Sequence, residues 1–283
     1  MLHTTKISFP GLGIGEFEVS SEAFNIFGVS IAWYAIIITF GMAFAVGYII
    51  FRSKGIGITF DEVIDFAIFV IPIGVLGARL YYVLMKIEHY NTLAEVFDIR
   101  SGGLAIYGGI IAGTIVVIII CYVKKIKFLA FADCVVPGLI MAQAIGRWGN
   151  FMNGEAFGYQ TDIFCRMGLD FGYGMNYYHP TFLYESLWNL IGFVLINIFY
   201  KKKQYDGQIF LIIFGWYGLG RLWIEGLRTD SLYLFGTGIR VSQLVAGLIL
   251  LFAVAGLIYF AVKPPKKQLY FRTDADRKSK KEG

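Results

Sequence analysis

The sequence predicts an all-α polytopic membrane protein with about seven transmembrane helices, and three observations predict it. Of its 283 residues, 57% are hydrophobic, 17% aromatic and only 16% charged, and the mean hydropathy is +0.63, whereas soluble domains carry about 25% charged residues. Runs of roughly 20 mostly apolar residues, each long enough to cross a hydrocarbon core of about 30 Å, recur along the chain. Basic clusters follow alternate runs, as topology in a bilayer requires.

Taken in order, the first run covers 29–51 and is followed by Arg52 and Lys54. The second, 63–84, is preceded or opened by Asp61, Glu62 and Asp65, acids that suit a helix N-terminus. The third, 103–123, leads into Lys124, Lys125 and Lys127, and the fourth covers 128–146. The fifth, 181–200, leads into Lys201, Lys202 and Lys203, the sixth covers 208–226, and the seventh, 239–262, leads into Lys263, Lys266 and Lys267. Placing the basic loops in the cytoplasm puts the N-terminus outside and the C-terminus inside.

That orientation divides the chain into an extracytoplasmic segment, 1–28, a seven-helix transmembrane domain, 29–262, and a basic cytoplasmic tail, 263–283. The tail is expected to be disordered from Arg272 onward by its charge. The outer loops 85–102 and 150–180 exceed the usual connection length and are expected to form small caps on the bundle. The first 20 residues hold no compact apolar region followed by a small-residue cleavage site, so no removable signal is expected.

The net charge of +5 lies in short clusters beside the apolar runs, which argues for topology and against nucleic-acid binding. Cys121, Cys134 and Cys165 have no metal-ligand or disulfide spacing, and His3 and His89 read as solvated surface residues. No internal repeat is visible, which weighs against the common transporter folds.

Charged side chains inside a membrane cost at least about 2.5–3.5 kcal/mol on insertion scales, so each is a functional candidate. Arg79 in the second run, Arg147 at the end of the fourth, His179 and Glu185 at the start of the fifth, and Arg221, Glu225 and Arg228 at the end of the sixth all fall in the outer half. Tyr34 and Tyr107 belong to the same layer. For several of these a structural role stays open: Arg221, Glu225 and Arg228 have the spacing of helix-face ion pairs, Arg79 can snorkel, Tyr34 can sit in an aromatic belt, and His179 can serve to start a helix. A transporter would also need access from the inner face, where only the acids at 61–65 stand.

The stretch Gly146–Gly158 differs in kind, placing Arg147, Asn150, Asn153 and Glu155 among four glycines where a span meets the outer surface. Arginine and asparagine supply donors suited to phosphate oxygens, and glycines allow close approach of a backbone to a ligand. A second glycine-rich run, Gly102–Gly109, opens the third span, and helix packing through small residues accounts for part of it.

These residues make the chain resemble the phosphatidylglycerol:prolipoprotein diacylglyceryl transferase family. Gly146–Gly158 looks like that family's signature, with Arg147, Gly149, Asn150, Asn153, Glu155 and Gly158 at matching positions. Trp33-Tyr34, Gly77-Ala78-Arg79, Ser101–Gly109, Asp133, His179-Pro180-Thr181, Tyr184-Glu185, Tyr217, Arg221, Glu225 and Arg228 extend the match over nearly the whole chain. The resemblance implies transfer of the sn-1,2-diacylglyceryl group from phosphatidylglycerol to the lipobox cysteine of prolipoprotein signal peptides. It calls for no metal, nucleotide or other cofactor.

The implied phosphate-stabilising residues are Arg147 and Arg221. Asn150 and Asn153 would orient the head group and Glu155 would position an arginine or the glycerol hydroxyls, with Tyr34, Arg79, Gly158, Tyr217, Glu225 and Arg228 completing the substrate site. Many family members carry histidine where this chain has Tyr107, so Tyr107, His179 and Glu155 stand as candidates for the base. The implied location is the bacterial plasma (inner) membrane, with the active site toward the outer leaflet.

Overall fold

The structure, a computed structural model, describes residues 4–90, 92–98, 102–234, 237–264 and 269–272. Among them, seven helices are long and apolar enough to cross a membrane. These are α1 (Trp33–Ser53), α2 (Phe60–Met85), α4 (Ile106–Val123), α5 (Phe128–Met152), α6 (Thr181–Phe199), α7 (Gln208–Leu227) and α8 (Val241–Val262), with a short α3 (Leu93–Phe97) between α2 and α4. The expected spans are met within a few residues, except that α5 continues to Met152 where 146 was expected. His3, Ser101, Lys266, Lys267 and the tail residues 273–283 lie outside the described residues, as does the side chain of His89.

The described chain divides into two compact units, Met1–Gly47 with Val135–Gln268 and Tyr48–Cys134 with Leu269–Gly283. In the first, the N-terminal segment is a folded cap. Strands β1 (Thr4–Phe9), β2 (Ile14–Ser20), β5 (Met167–Asp170) and β6 (Asn176–Tyr178) form an antiparallel sheet in the order β2-β1-β5-β6, while β3 (Glu22–Ile26) and β4 (Val29–Ala32) form a separate hairpin leading into α1. Ile7 lies opposite Phe17 on one side and Leu169 on the other. Ile7, Phe9, Val19, Met167 and Leu169 then bury one sheet face against Phe182 of α6, with Phe151, Met152 and Phe157 packed around them. The seat of the cap is therefore the end of α5 and the start of α6, the segments that carry the signature.

Below the cap, α6 and α7 are clasped by two indoles. Trp188 Nε1 donates to Trp216 O and Trp216 Nε1 donates to Trp188 O, both at 2.9 Å, with the rings stacked at 4.4 Å. Each half-buried indole finds its polar partner in the other helix's backbone. Gly192 and Gly220 make room, since a Cβ there would come within 2.4 and 2.2 Å of Trp216 and Trp188. Glu185 stands one turn before Trp188 and Arg221 little more than one turn after Trp216, so the clasp sets the register of those charges.

The second unit is built on the crossing of α2 and α4. A Cβ on Gly77 would lie 2.8 Å from Gly108 O, and one on Gly108 would lie 2.2 Å from Gly77 O, so the two backbones meet through small residues. Helix α2 opens with a capping box: Thr59 Oγ1 accepts from Glu62 N and the Glu62 carboxylate accepts from Thr59 N. Asp65 pairs with Lys124. Glu62 and Asp65 at the start of this span thus have structural work.

One expectation is corrected here. Arg272, placed by its composition at the start of a disordered tail, is 3% exposed. Its amide donates to Ile56 O at 3.1 Å, and its guanidinium pairs with Glu62 at 2.5 Å. Charge alone suggested a solvated arginine; the backbone and carboxylate acceptors at the α1–α2 connection hold it instead.

Candidate active site

The first unit gathers most of the predicted residues around one carboxylate. Helix α5 carries Arg147 on its penultimate turn, α6 carries Glu185 on its second, and α7 ends with Arg221 and Glu225. Arg147 Nη2 lies 2.6 Å from Glu185 Oε2, while Arg221 Nη1 and Arg228 Nη1 lie 2.9 and 3.2 Å from Glu185 Oε1. Arg221 also reaches Glu225 Oε2 at 2.6 Å across one helical turn, and Arg228 forks onto both oxygens of Asp230 at 2.9 and 2.6 Å. Each charge is thereby compensated, as burial demands.

A second chain of hydrogen bonds leads from Arg147 to the turn that follows α5. Arg147 Nη1 donates to Asn150 Oδ1 at 3.0 Å, Asn150 Nδ2 donates to Glu155 Oε1 at 3.0 Å, and Asn153 Nδ2 donates to the same oxygen at 3.1 Å. The turn itself is closed by Asn153 N to Gly149 O and Glu155 N to Asn150 O, with Gly154 at φ +58°. Glu155 is exposed and accepts from two amides, so its carboxylate is the outermost member of the relay.

The glycines of the signature do other work than the sequence suggested. Gly146 and Gly149 are helical and admit side chains of α1: a Cβ at Gly149 would lie 2.7 Å from the Tyr34 ring, and one at Gly146 would lie 3.1 Å from Ile38. Gly158 is a junction. Its amide donates to His179 O at 2.9 Å, Tyr159 N donates to Leu227 O at 2.9 Å, and residue 158 bridges Arg228 in antiparallel fashion. A Cβ there would strike His179 Cβ at 2.7 Å and Leu227 O at 2.8 Å. This junction ties the ends of α5, α6 and α7 together where their charges meet.

His179 presents Nδ1 to the Tyr184 hydroxyl at 3.3 Å, and that hydroxyl also faces Cys165 Sγ at 3.5 Å. Burial holds the imidazole pKa below the ordinary 6.5, so the neutral ring is favoured. At the end of α7 burial opposes charge on both Arg228 and Asp230, yet their mutual hydrogen bonds prevail: Asp230 sits below the usual carboxylate range and Arg228 is held protonated with help from Glu185 and Glu225. Tyr217 lines a small pocket with Glu185, Asn189 and Arg221.

Arg79 and Tyr107 belong to the second unit. Arg79 is 3% exposed and donates to Val96 O, Gly102 O, Gly103 O and Glu95 O at 2.8, 2.7, 3.2 and 2.7 Å, with Tyr90 against its guanidinium face. It organises the loop before α4. Gly102 and Gly103, at φ +85° and +74°, turn their carbonyls toward it. Tyr107 is half-buried on the first turn of α4, beside Gly108 at the crossing with α2.

The sequence assigns no role to two residues of the site: Glu185 stands out only as an intramembrane charge, and Asp230 does not stand out at all. A carboxylate one turn inside an apolar helix was the available signal for Glu185; Asp230, in a polar loop, offered none.

A family model described as prolipoprotein diacylglyceryl transferase matches residues 21–259. The chain belongs to this family. A Clostridium perfringens (strain 13 / Type A) protein named phosphatidylglycerol–prolipoprotein diacylglyceryl transferase 1 is 42% identical to it over 254 residues, 87% of this chain and 96% of that protein. Relatives from Enterococcus faecalis (strain ATCC 700802 / V583) and Clostridioides difficile (strain 630), bearing the same name without the numeral, are each 40% identical, covering 93% and 85% of this chain and 97% and 95% of their own. The family member described here is accordingly a multi-pass membrane transferase.

Proposed function

We propose that the protein transfers the sn-1,2-diacylglyceryl group of phosphatidylglycerol to the lipobox cysteine thiol of a prolipoprotein signal peptide, the first step of bacterial lipoprotein maturation. The sulfur attacks the sn-3 carbon of the lipid glycerol, a C–S bond forms, and the C–O bond to phosphate breaks. The thiol proton is lost to a base, and glycerol 1-phosphate leaves with the bonding electron pair. The nucleophile comes from the peptide and acts as its thiolate.

The observation that carries this reading is the convergence of Arg147, Arg221 and Arg228 on Glu185. The departing phosphate monoester gathers negative charge, and a guanidinium donates to phosphate oxygens in the same forked way as to a carboxylate. Arg147 and Arg221 thus stabilise the leaving group in a site shielded from bulk water. Glu185 holds the two in register before substrate arrives. Asn150 and Asn153 orient the head group, and Glu155 aligns them or takes the glycerol hydroxyls. Tyr34, Gly158, Tyr217, Glu225 and Arg228 shape the surrounding site. Tyr107, His179 and Glu155 are the groups to test as proton acceptor.

The reading places the N-terminus and cap outside the bacterial plasma (inner) membrane, the site toward the outer leaflet and the C-terminus in the cytoplasm, on the strength of the basic loops. Purified protein in liposomes, given phosphatidylglycerol and a lipobox peptide, is expected to release glycerol 1-phosphate as the peptide gains the mass of a diacylglyceryl group. Release of phosphate ester without peptide modification would overturn the assignment.

A further inference from the structure

We infer that the groove lined by α1, α5 and α6 in the first unit holds one acyl chain of the glycerophospholipid donor; the inference rests on the function proposed above. The groove encloses about 390 Å³. Its walls are Ile36, Ile37 and Phe40 from α1, Ala144 and Trp148 from α5, and Leu190 from α6.

Its few polar atoms are tied to one another. Trp148 Nε1 donates to Ser186 Oγ at 3.2 Å, and that hydroxyl donates to Ala144 O at 2.9 Å. What remains to meet an occupant is hydrocarbon, and a buried polar group on the occupant would find no partner.

Position and size select the occupant. Trp148 follows Arg147 and Ser186 follows Glu185, and Arg147 and Glu185 form the 2.6 Å ion pair of the charged site. An apolar groove whose lining residues Trp148 and Ser186 directly follow the ion-paired Arg147 and Glu185 has the charge pattern of an anionic lipid, phosphate at one end and chain at the other. The peptide's apolar segment fits poorly: a helix about 10 Å across rises about 5.4 Å per turn, so a space of about 390 Å³ holds about one turn.

The test narrows the groove with Ile37→Trp and Ala144→Leu and compares phosphatidylglycerols of long and short acyl chains in the transfer assay. The expected result is a KM for the long-chain lipid raised about tenfold, the scale on which apolar pockets discriminate chain volume. The short-chain lipid should change less than about twofold, and the KM for the peptide should stay unchanged. Equal losses at every chain length, or a raised peptide KM, would overturn the proposal. In wild-type protein, phosphatidylglycerol with a photoreactive chain should label peptides of α1, α5 or α6 that line the groove, and labelling confined to other helices would also overturn it. Because that labelling needs no turnover, it separates the groove from the reaction: a wild type that labels there but never modifies a peptide sinks the function and leaves the lipid site standing.

Discussion

Arg79 and Arg147 are both arginines in membrane-spanning helices of one chain, and their surroundings differ. Arg79 gives its donors to four main-chain carbonyls; Arg147 gives its own to a carboxylate and a side-chain amide. Carbonyls of a folded loop cannot be exchanged without unfolding the loop, so Arg79 is committed to structure. A carboxylate shared by three guanidiniums is different, because each guanidinium has alternatives and an incoming anion can take one over with little rearrangement. An intramembrane arginine is thus classified by its partners and not by its depth.

The sharpest break of that comparison is Arg147→Ala or Arg221→Ala, each expected to lower turnover by about 10² to 10³, the usual cost of removing a donor from a charge-stabilising site. Lysine should recover little, since it lacks the planar fork. An alanine variant with wild-type turnover and normal expression would strip that residue of its role. Tyr107→Phe comes next, with an expected loss of about tenfold or more, while Tyr107→His keeps a substantial part of the rate. A loss near the ~0.5–1.5 kcal/mol of one neutral hydrogen bond points to orientation, and about 10² or more points to proton transfer; initial rates separate the two.

Arg79→Ala should act through structure. Leaving buried carbonyls without donors costs about 1–3 kcal/mol, so the melting midpoint should drop and protease should cut within residues 92–103, with turnover falling in step with the folded fraction. A variant of unchanged stability but abolished turnover would move Arg79 into the chemistry. The smallest effect concerns His179. Because burial lowers its pKa, the neutral ring and whatever stability or activity depends on it are fully present above the ordinary value of 6.5 and are lost as pH falls through the lower folded value. Rates should therefore show no titration of this residue between about pH 6.5 and 8, and His179→Gln should remove an acidic limb found below that window. An acidic limb unchanged in the variant would exclude the imidazole.

What could be read from the sequence divides along range of interaction. Helix positions rest on local apolar length, and those held to within a few residues because a bilayer imposes that length on each segment by itself. The cap escaped. Its strands β1 and β2 are short, and β1 finds its other neighbour, β5, by pairing Lys6–Ser8 with Gly168–Asp170, a contact no local pattern announces. The site was half legible: Arg147, Asn150, Asn153 and Glu155 lie close enough in sequence to stand out together, whereas the central place of Glu185 exists only once α5, α6 and α7 are assembled. The end of α5 was misplaced because glycine and asparagine read as a turn, while Gly149 is helical to admit the Tyr34 ring.

The pairing of β1 with β5 also bears on how the chain is made. Four long apolar helices, α1, α2, α4 and α5, separate the two strands, and an even number of crossings returns the chain to the face it left. The sheet is therefore a parity check on insertion: if any one of the four fails to cross, β5 emerges on the wrong side and cannot reach its partner. The N-terminal strands must wait, paired only with each other, until about 150 residues more have been threaded, from Ser20 to Asp170, so closure of the cap is a late, long-range event in biogenesis. Since the cap rests on the end of α5 and the start of α6, the charged cluster receives its roof only in molecules whose membrane topology is already correct.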